Sequence, residues 1–458
     1  MERFALWGML AFCVVPAGAA CGPSARGAET GGDKAAATES PAQPFDFAAA
    51  TRHVPKPREI WALVQRHVVP LEFRILADEV VPSDTNPAVR LRKVTAHFFS
   101  QELAGKKWGH PCVLFMPEDE QRNRSPERQG KVVIIGSPPQ GYFPVHVEKY
   151  GEPIAARTGY PTLVLSNPGE YSDGADIEHD IRVLNRLREQ TGQNYYNMNC
   201  QLAVVYIQAM NALQAFLGCG ELHAVIGGHS KRGRSATVAA AMDPRVASVI
   251  IMGNEGIYST ESVQPHLSFH HAFFQDQVTV PVFYLGATNE DGYKMFNINI
   301  MQDRLQRPMT IELIPNYCHS NFSEIQYMDV LMWVAHVFDG RPLSEISDVH
   351  HERQAGRTVF RATICSQAKV QIVHTWYVYS DDAAWRDLMW YHLLMDKAGD
   401  HYEAVLPGKL PDAFLVEVGD IAGGVAGYVS SLPQKLTDYP VVERQSRGSL
   451  PRLWEPAN

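Results

Sequence analysis

Cysteine is scarce in this chain: seven among 458 residues is too few for a disulfide-dense scaffold that stands in for a hydrophobic core. Basic excess is missing as well. The 41 Lys and Arg against 50 Asp and Glu leave a net charge of −9, which argues for solubility and against the basic face that broad nucleic-acid binding needs. No cysteines stand at C-x-x-C spacing, and His270-His271 and His350-His351 do not form an H-E-x-x-H pair, so no metal site is expected. A P-loop is also missing, and no cofactor is expected. Gly423-Gly424 is a bare glycine pair in a strand-rich stretch, read as a bulge or turn. What remains is near-average globular composition, 45% hydrophobic and 20% charged, which excludes a disordered, collagenous or multi-spanning chain. The length suits two or three domains.

The first 21 residues read as a secretory signal: Arg3 at the start, an apolar stretch from Phe4 to Val15, then small residues. Two processing routes are open. An A-x-A site at Ala17–Ala19 releases a soluble protein; small residues before Cys21 instead resemble a bacterial lipoprotein signal that acylates Cys21 and tethers the protein to a membrane. Residues 22–49 open with a stretch lacking large apolar side chains, so they are expected to form a flexible linker. Either route exports the protein to a bacterial periplasm or envelope, where Cys112, Cys200, Cys219, Cys318 and Cys365 are able to pair in ways the spacing does not specify.

Residues 50–342 alternate short apolar runs with amphipathic stretches, the pattern of a mostly parallel sheet covered by helices. Strands are expected at 131–136, 161–166, 223–227, 246–252, 280–285 and 310–314. An antiparallel pair at 94–99 and 111–115 precedes them. Helices are expected at 198–216, 230–241 and 325–338, where apolar residues recur at helical spacing. The expected fold class is α/β, a doubly wound, mostly parallel sheet covered by helices, followed by a β-sandwich.

Gly227-Gly-His-Ser-Lys-Arg-Gly-Arg234 lies between an expected strand and an expected helix. A sharp turn there lifts a serine hydroxyl above the sheet edge, and the helix N-terminus faces the developing oxyanion. The pattern is G-x-S-x-R-G, with Arg232 where G-x-S-x-G has its second glycine. Ser230 has a second reading, as a plain N-cap. Later strands decide in favour of chemistry. A Ser-His-acid set on this fold needs an acid and then a histidine, each after a later strand. Glu290 and its neighbour Asp291 follow the run at 281–286, and His319 follows the run at 311–314. Glu255, after the run ending at Met252, is a third candidate acid. His319 is expected to take the Ser230 proton and return it to the leaving group.

The oxyanion hole is expected to use the backbone N–H of Lys231 and one from the loop after Gly136. Pro138 and Pro139 have no N–H, which leaves Gln140 or Gly141. Lys231, Arg232 and Arg234 put three cations beside the serine. They suit an anionic substrate or transition-state charge, or pair with nearby carboxylates, the reading preferred for Arg232. Trp376, Trp385 and Trp390 are read as packing residues before sugar platforms. Residues 345–440 change period: strands at 357–365, 369–379, 388–395, 401–405 and 413–418, separated by turns and no long helix, indicate a small β-sandwich. Residues 441–458 are a polar tail.

Taken together, Ser230-Lys-Arg-Gly233 with Asp243-Pro-Arg-Val246, Ala287-Thr-Asn-Glu-Asp291, Pro315-Asn-Tyr-Cys-His319, Trp385-Arg-Asp387, Tyr402-Glu-Ala404 and Phe414-Leu-Val-Glu417 resemble spaced segments of the PhoPQ-activated pathogenicity-related protein family. The resemblance runs over about residues 50–435. It implies an exported bacterial α/β-hydrolase with a β-sandwich appendage. Ser230 and His319 stand at the family's nucleophile and base, Glu290 at its Asp, and Glu255 at another acidic position. Arg234 replaces a Trp, which implies a different pocket wall. A looser similarity to glucuronoyl esterases, with a G-C-S-R-x-G-K elbow, implies a small-molecule or carbohydrate-linked ester. The expectation is therefore an exported serine hydrolase acting on an ester. The alternatives are a serine peptidase on the same fold and a non-catalytic envelope binding protein.

Overall fold

The computed structural model describes residues 59–437 except 60, 63–64, 119–124, 126–127, 140, 176, 178–181, 194–195, 254–276, 291–293, 297, 300–301, 303–304, 306, 308, 320–322 and 381–384. The expected export signal, Cys21, the expected linker and the expected polar tail lie outside these residues, as do Gln140, Glu255, Asp291 and His270-His271.

A ten-stranded sheet is built from β1 (Phe73–Pro82), β2 (Arg90–Leu103), β3 (Lys106–Pro117), β4 (Lys131–Ser137), β5 (Thr162–Ser166), β6 (Glu170–Tyr171), β7 (His223–His229), β8 (Val246–Met252), β9 (Val282–Ala287) and β10 (Thr310–Ile314). Its order is β1-β2-β3-β5-β4-β7-β8-β9-β10, with β6 beside β3. The first three pairings are antiparallel and the remainder of that path is parallel. The sheet carries α1 (Tyr142–His146), α2 (Glu152–Thr158), α3 (Arg182–Thr191), α4 (Met198–Leu217), α5 (Lys231–Met242) and α6 (Glu324–Asp339).

Side chains alternate across a strand, so one strand feeds two cores. In β4, Val132 and Ile134 join the core that holds Val205 and Ala236 from α4 and α5. Val133 and Ile135 face the other way, with Ile154 of α2 and Val330 and Trp333 of α6. Burial on both faces explains why the parallel strands read as continuous apolar runs. Helix α4 is apolar and long enough to cross a membrane, but 72% of its most apolar window is buried inside the protein. Asn197 caps it, accepting from the Asn199 N–H, and Gly218 ends it at φ 61°. Ser323 and Gly340 do the same for α6.

The mostly parallel, helix-covered sheet, with Ser230 between β7 and α5, is an α/β-hydrolase fold. Beyond it lie β11 (Glu345–Gln354), β12 (Arg357–Cys365), β13 (Lys369–Val378), β14 (Trp390–Leu394), β15 (Asp396–Ala398), β16 (His401–Pro407), β17 (Ala413–Ala422), β18 (Val425–Ser430) and β19 (Gln434–Lys435). They form a four-stranded sheet, β11-β12-β16-β15, and a five-stranded one, β14-β13-β17-β18 with β19 on β17. Phe360 and Phe414 meet between the two sheets at 4.9 Å. Gly423 and Gly424, both at positive φ, make the β17–β18 turn. Strands β1, β6, β11, β15, β18 and β19 were not among the sequence expectations. None of the five described cysteines forms a disulfide.

The sandwich meets the hydrolase layer along α6 and β10. Tyr428 donates its N–H to Asp329 Oδ1 at 2.7 Å, and Ser430 Oγ donates to Glu312 Oε2 at 2.7 Å. The buried Arg341 and Asp420 pair beside the junction, where Asp420 also accepts from the Ser344 N–H.

Candidate active site

Ser230 ends the turn between β7 and α5 at φ 58° and ψ −125°, and its side chain makes no cap hydrogen bond. The N-cap reading therefore fails, because a cap residue has extended backbone and spends its side-chain oxygen on the helix. A non-glycine residue at positive φ is uncommon and marks strain held by its surroundings. Those surroundings are specific. The Ser230 N–H donates to the Met252 carbonyl at 2.8 Å, and Tyr206 Oη donates to the Gly227 carbonyl at 2.8 Å.

The geometry also accounts for G-x-S-x-R-G. A Cβ at Gly233 would stand 2.8 Å from the Gly228 carbonyl oxygen, so the helix touches its strand one position later than in G-x-S-x-G. Arg232 is free to carry a side chain. It is 2% exposed and its Nε donates to the Asn167 carbonyl at 2.6 Å. The partner of that Nε is a backbone carbonyl.

Glu290 follows β9 and His319 follows β10. His319 Nδ1 meets Glu290 Oε2 at 2.9 Å. Glu290 is 1% exposed and the His319 side chain 18% exposed. A buried carboxylate against Nδ1 fixes that nitrogen as the protonated one and leaves Nε2 as the proton acceptor. Parallel pairing of β7 to β8, β8 to β9 and β9 to β10 brings the ends of the three carrying strands to one edge of the sheet.

His229, missed in the sequence, ties the serine turn to the loop that carries His319. Its Nε2 donates to the His319 carbonyl, and its ring lies 4.8 Å from the His319 ring. Burial, reinforced by His319, holds the His229 pKa well below 6.5, so it stays neutral and keeps the Nε2 proton it donates. A Cβ at Gly253, where φ is +47°, would stand 2.4 Å from His229 Nε2 and 2.5 Å from the His319 carbonyl oxygen; the strand end must be bare there. The signal that could have found His229 is its place beside the serine in Gly-His-Ser.

Lys231 opens α5 and lines a small apolar pocket with Trp108, Pro168, Ile177, Leu184, Met198 and Leu202. Gly141 precedes α1, in the loop after β4. A larger cavity, about 830 Å³, lies between β2, β3, the α1–α2 stretch and α6; its lining includes none of Ser230, Glu290 and His319. Trp385 and Trp390 are 5% and 1% exposed, buried as packing residues. The arrangement can support nucleophilic acyl transfer: a strained serine, a histidine oriented by a buried carboxylate, and a helix N-terminus behind them.

No family model matches the chain, and no curated protein matches it. Among solved structures, the chain is similar to a cold-adapted esterase from an Arctic intertidal metagenomic library, at 15% identity over 57% of this chain and 98% of that one, with a TM-score of 0.40. It is similar to acetyl xylan esterase 1 from Thermoanaerobacterium sp., at 11% identity over 64% of this chain and 98% of that one, with a TM-score of 0.41. A dienelactone hydrolase from Anabaena variabilis is 17% identical over 58% of this chain and 97% of that one, with a TM-score of 0.36.

Proposed function

We propose that this protein is an exported serine hydrolase that cleaves a carboxylic ester through an acyl-enzyme. The observation that carries the reading is the 2.9 Å contact between His319 Nδ1 and Glu290 Oε2, in a chain whose strained Ser230 caps nothing. In this reading His319 Nε2 takes the Ser230 Oγ proton as Oγ attacks the ester carbonyl carbon. The tetrahedral oxyanion is held by the Lys231 N–H and by one from the loop that contains Gln140 and Gly141. Collapse breaks the C–O bond, and His319 gives the proton to the departing alcohol. A water, deprotonated by the same histidine, then releases the acid and frees the serine.

The spaced segments from Ser230 to Glu417 support placing the protein in the PhoPQ-activated pathogenicity-related family, and its N-terminus supports export with Cys21 as a lipid anchor. Fluorophosphonate labelling tests the chemistry: the wild type is expected to label and Ser230→Ala is not, and equal labelling of both rejects the proposal. A panel of acyl esters and peptides then separates ester from amide cleavage. For the anchor, Cys21→Ser is expected to leave the membrane fraction; retention there rejects lipidation.

A further inference from the structure

Between β13 and β14 the chain crosses the ends of β9 and β10, the two strands that carry Glu290 and His319. The crossing segment, Trp385–Trp390, is bonded to both following loops. Trp385 Nε1 donates to the Thr288 carbonyl at 2.9 Å, and Asn289 Nδ2 donates to the Leu388 carbonyl at 2.6 Å. On the other loop, Asn316 Nδ2 donates to the Trp390 carbonyl at 3.0 Å, and the Trp390 N–H donates back to Asn316 Oδ1 at 2.7 Å. The two loops are also joined to each other. The Asn316 N–H donates to Thr288 Oγ1 at 2.9 Å, and the Asn289 N–H to the Tyr317 carbonyl at 3.0 Å. Asn316 sits at φ 62°, a conformation that Asn accepts better than most residues.

These bonds are concentrated where they matter chemically. Thr288 and Asn289 stand immediately before Glu290, and Asn316 three residues before His319. Each partner in the crossing segment is backbone or a buried ring; Trp385 and Trp390 pack edge to face at 5.9 Å. Packing the sandwich onto the hydrolase layer would need apolar contact alone. A reciprocal amide bond and an indole N–H aimed at the acid loop do more: they fix the separation of the two loops. A hydrogen-bonded pair of side chains is sensitive to such a shift, since a misplacement of about 1 Å can cost about a hundredfold in rate.

We propose that the sandwich segment Trp385–Trp390 is a positioning element for the Glu290–His319 pair, with Trp385, Asn289 and Asn316 as positioning residues that hold the two loops in register. The proposal rests on reading Glu290 and His319 as catalytic, but its geometric content does not depend on turnover.

Two variants test it in the full-length protein. Trp385→Phe keeps the ring and removes the N–H that serves Thr288. Asn316→Gly accepts the positive φ, adds no charge and removes both side-chain bonds to Trp390. Both are expected to lower kcat ten- to a hundredfold with KM within twofold and thermal midpoints close to wild type. The independent readout is titration of the His319 imidazole by NMR, assigned with His319→Gln. With Glu290→Gln marking full loss of the carboxylate, both variants are expected to move the His319 midpoint toward that marker, as an imidazolium losing its partner must. A His319 midpoint equal to wild type in both variants overturns the proposal. So does a fall in kcat accompanied by an equal loss of thermal stability and no shift in the titration. If the wild type neither labels nor turns over, the hydrolase reading fails, while the NMR shift still decides whether the segment sets the pair.

Discussion

At Ser230 the backbone occupies φ 58° and ψ −125°, and holding a side chain in so sparse a region costs about 1–3 kcal/mol. Glycine would relieve most of this, with part of the gain returned as greater unfolded-chain entropy, about 0.4–1 kcal/mol. Ser230→Gly is therefore expected to unfold at a higher temperature than Ser230→Ala in calorimetry, with neither labelled by a fluorophosphonate. A lower midpoint for the glycine variant would show that the turn is not strained. Chain order and strand ends make Ser230, Glu290 and His319 legible as candidates in the sequence. That Glu290 reaches His319 is not legible, because Glu290, Asp291 and Glu255 read alike as carboxylates after strands. The supporting residues are less legible still. His229 meets a carbonyl 90 positions away and Asn289 one 99 positions away, distances at which no local pattern survives.

Among elements, α5 depends on close approach. A Cβ at Gly233 would stand 2.8 Å from the Gly228 carbonyl oxygen and 3.0 Å from Ile251 Cγ2. Neither neighbour yields easily, one being backbone and the other a core side chain. Gly233→Ala is expected to push the first turn of α5 off β7, lowering kcat at least tenfold and destabilising the fold by about 1–3 kcal/mol in urea unfolding. An alanine variant with wild-type kcat would show that the helix start tolerates displacement. The parallel strands were legible because burial on both faces leaves uninterrupted apolar runs. The α1–α2 stretch was not, because Pro144, Gly151 and Pro153 interrupt helical spacing; the structure places Pro144 in α1 and Pro153 in α2 and joins the two helices by a π-helical stretch at Val147–Gly151. Strand β1 escaped for a different reason. It is exposed along most of its length, so no period-two apolar pattern marks it.

In the whole molecule, Glu312 and Asp329 are buried where the sandwich meets the hydrolase layer, with Glu417 nearby. Burial, then the neighbouring carboxylates Glu417 and Asp329, raises the Glu312 pKa well above 4.5. Burial chiefly raises that of Asp329, against the Tyr428 N–H and Arg341. The folded state therefore holds protons that the unfolded chain releases near pH 4. The stability this confers is complete below that pH and is lost as pH rises toward the folded values. Glu312→Gln, neutral at every pH, is expected to match wild type near pH 4 and to melt at higher temperature by pH 8, in thermal unfolding followed across that range. A constant difference between the two proteins at every pH would exclude a bound proton at this site.

The crossing segment Trp385–Trp390 has one more consequence, which follows from the direction in which chains are made. Synthesis runs from the N-terminus, so Ser230, Glu290 and His319 all leave the ribosome before Trp385. A chain cut short after His319 carries the proposed Ser230, Glu290 and His319 together with Asn289 and Asn316, but lacks Trp385–Trp390, the sandwich half of the proposed clamp. On this view full reactivity waits until the sandwich segment has been made and has docked on the two loops.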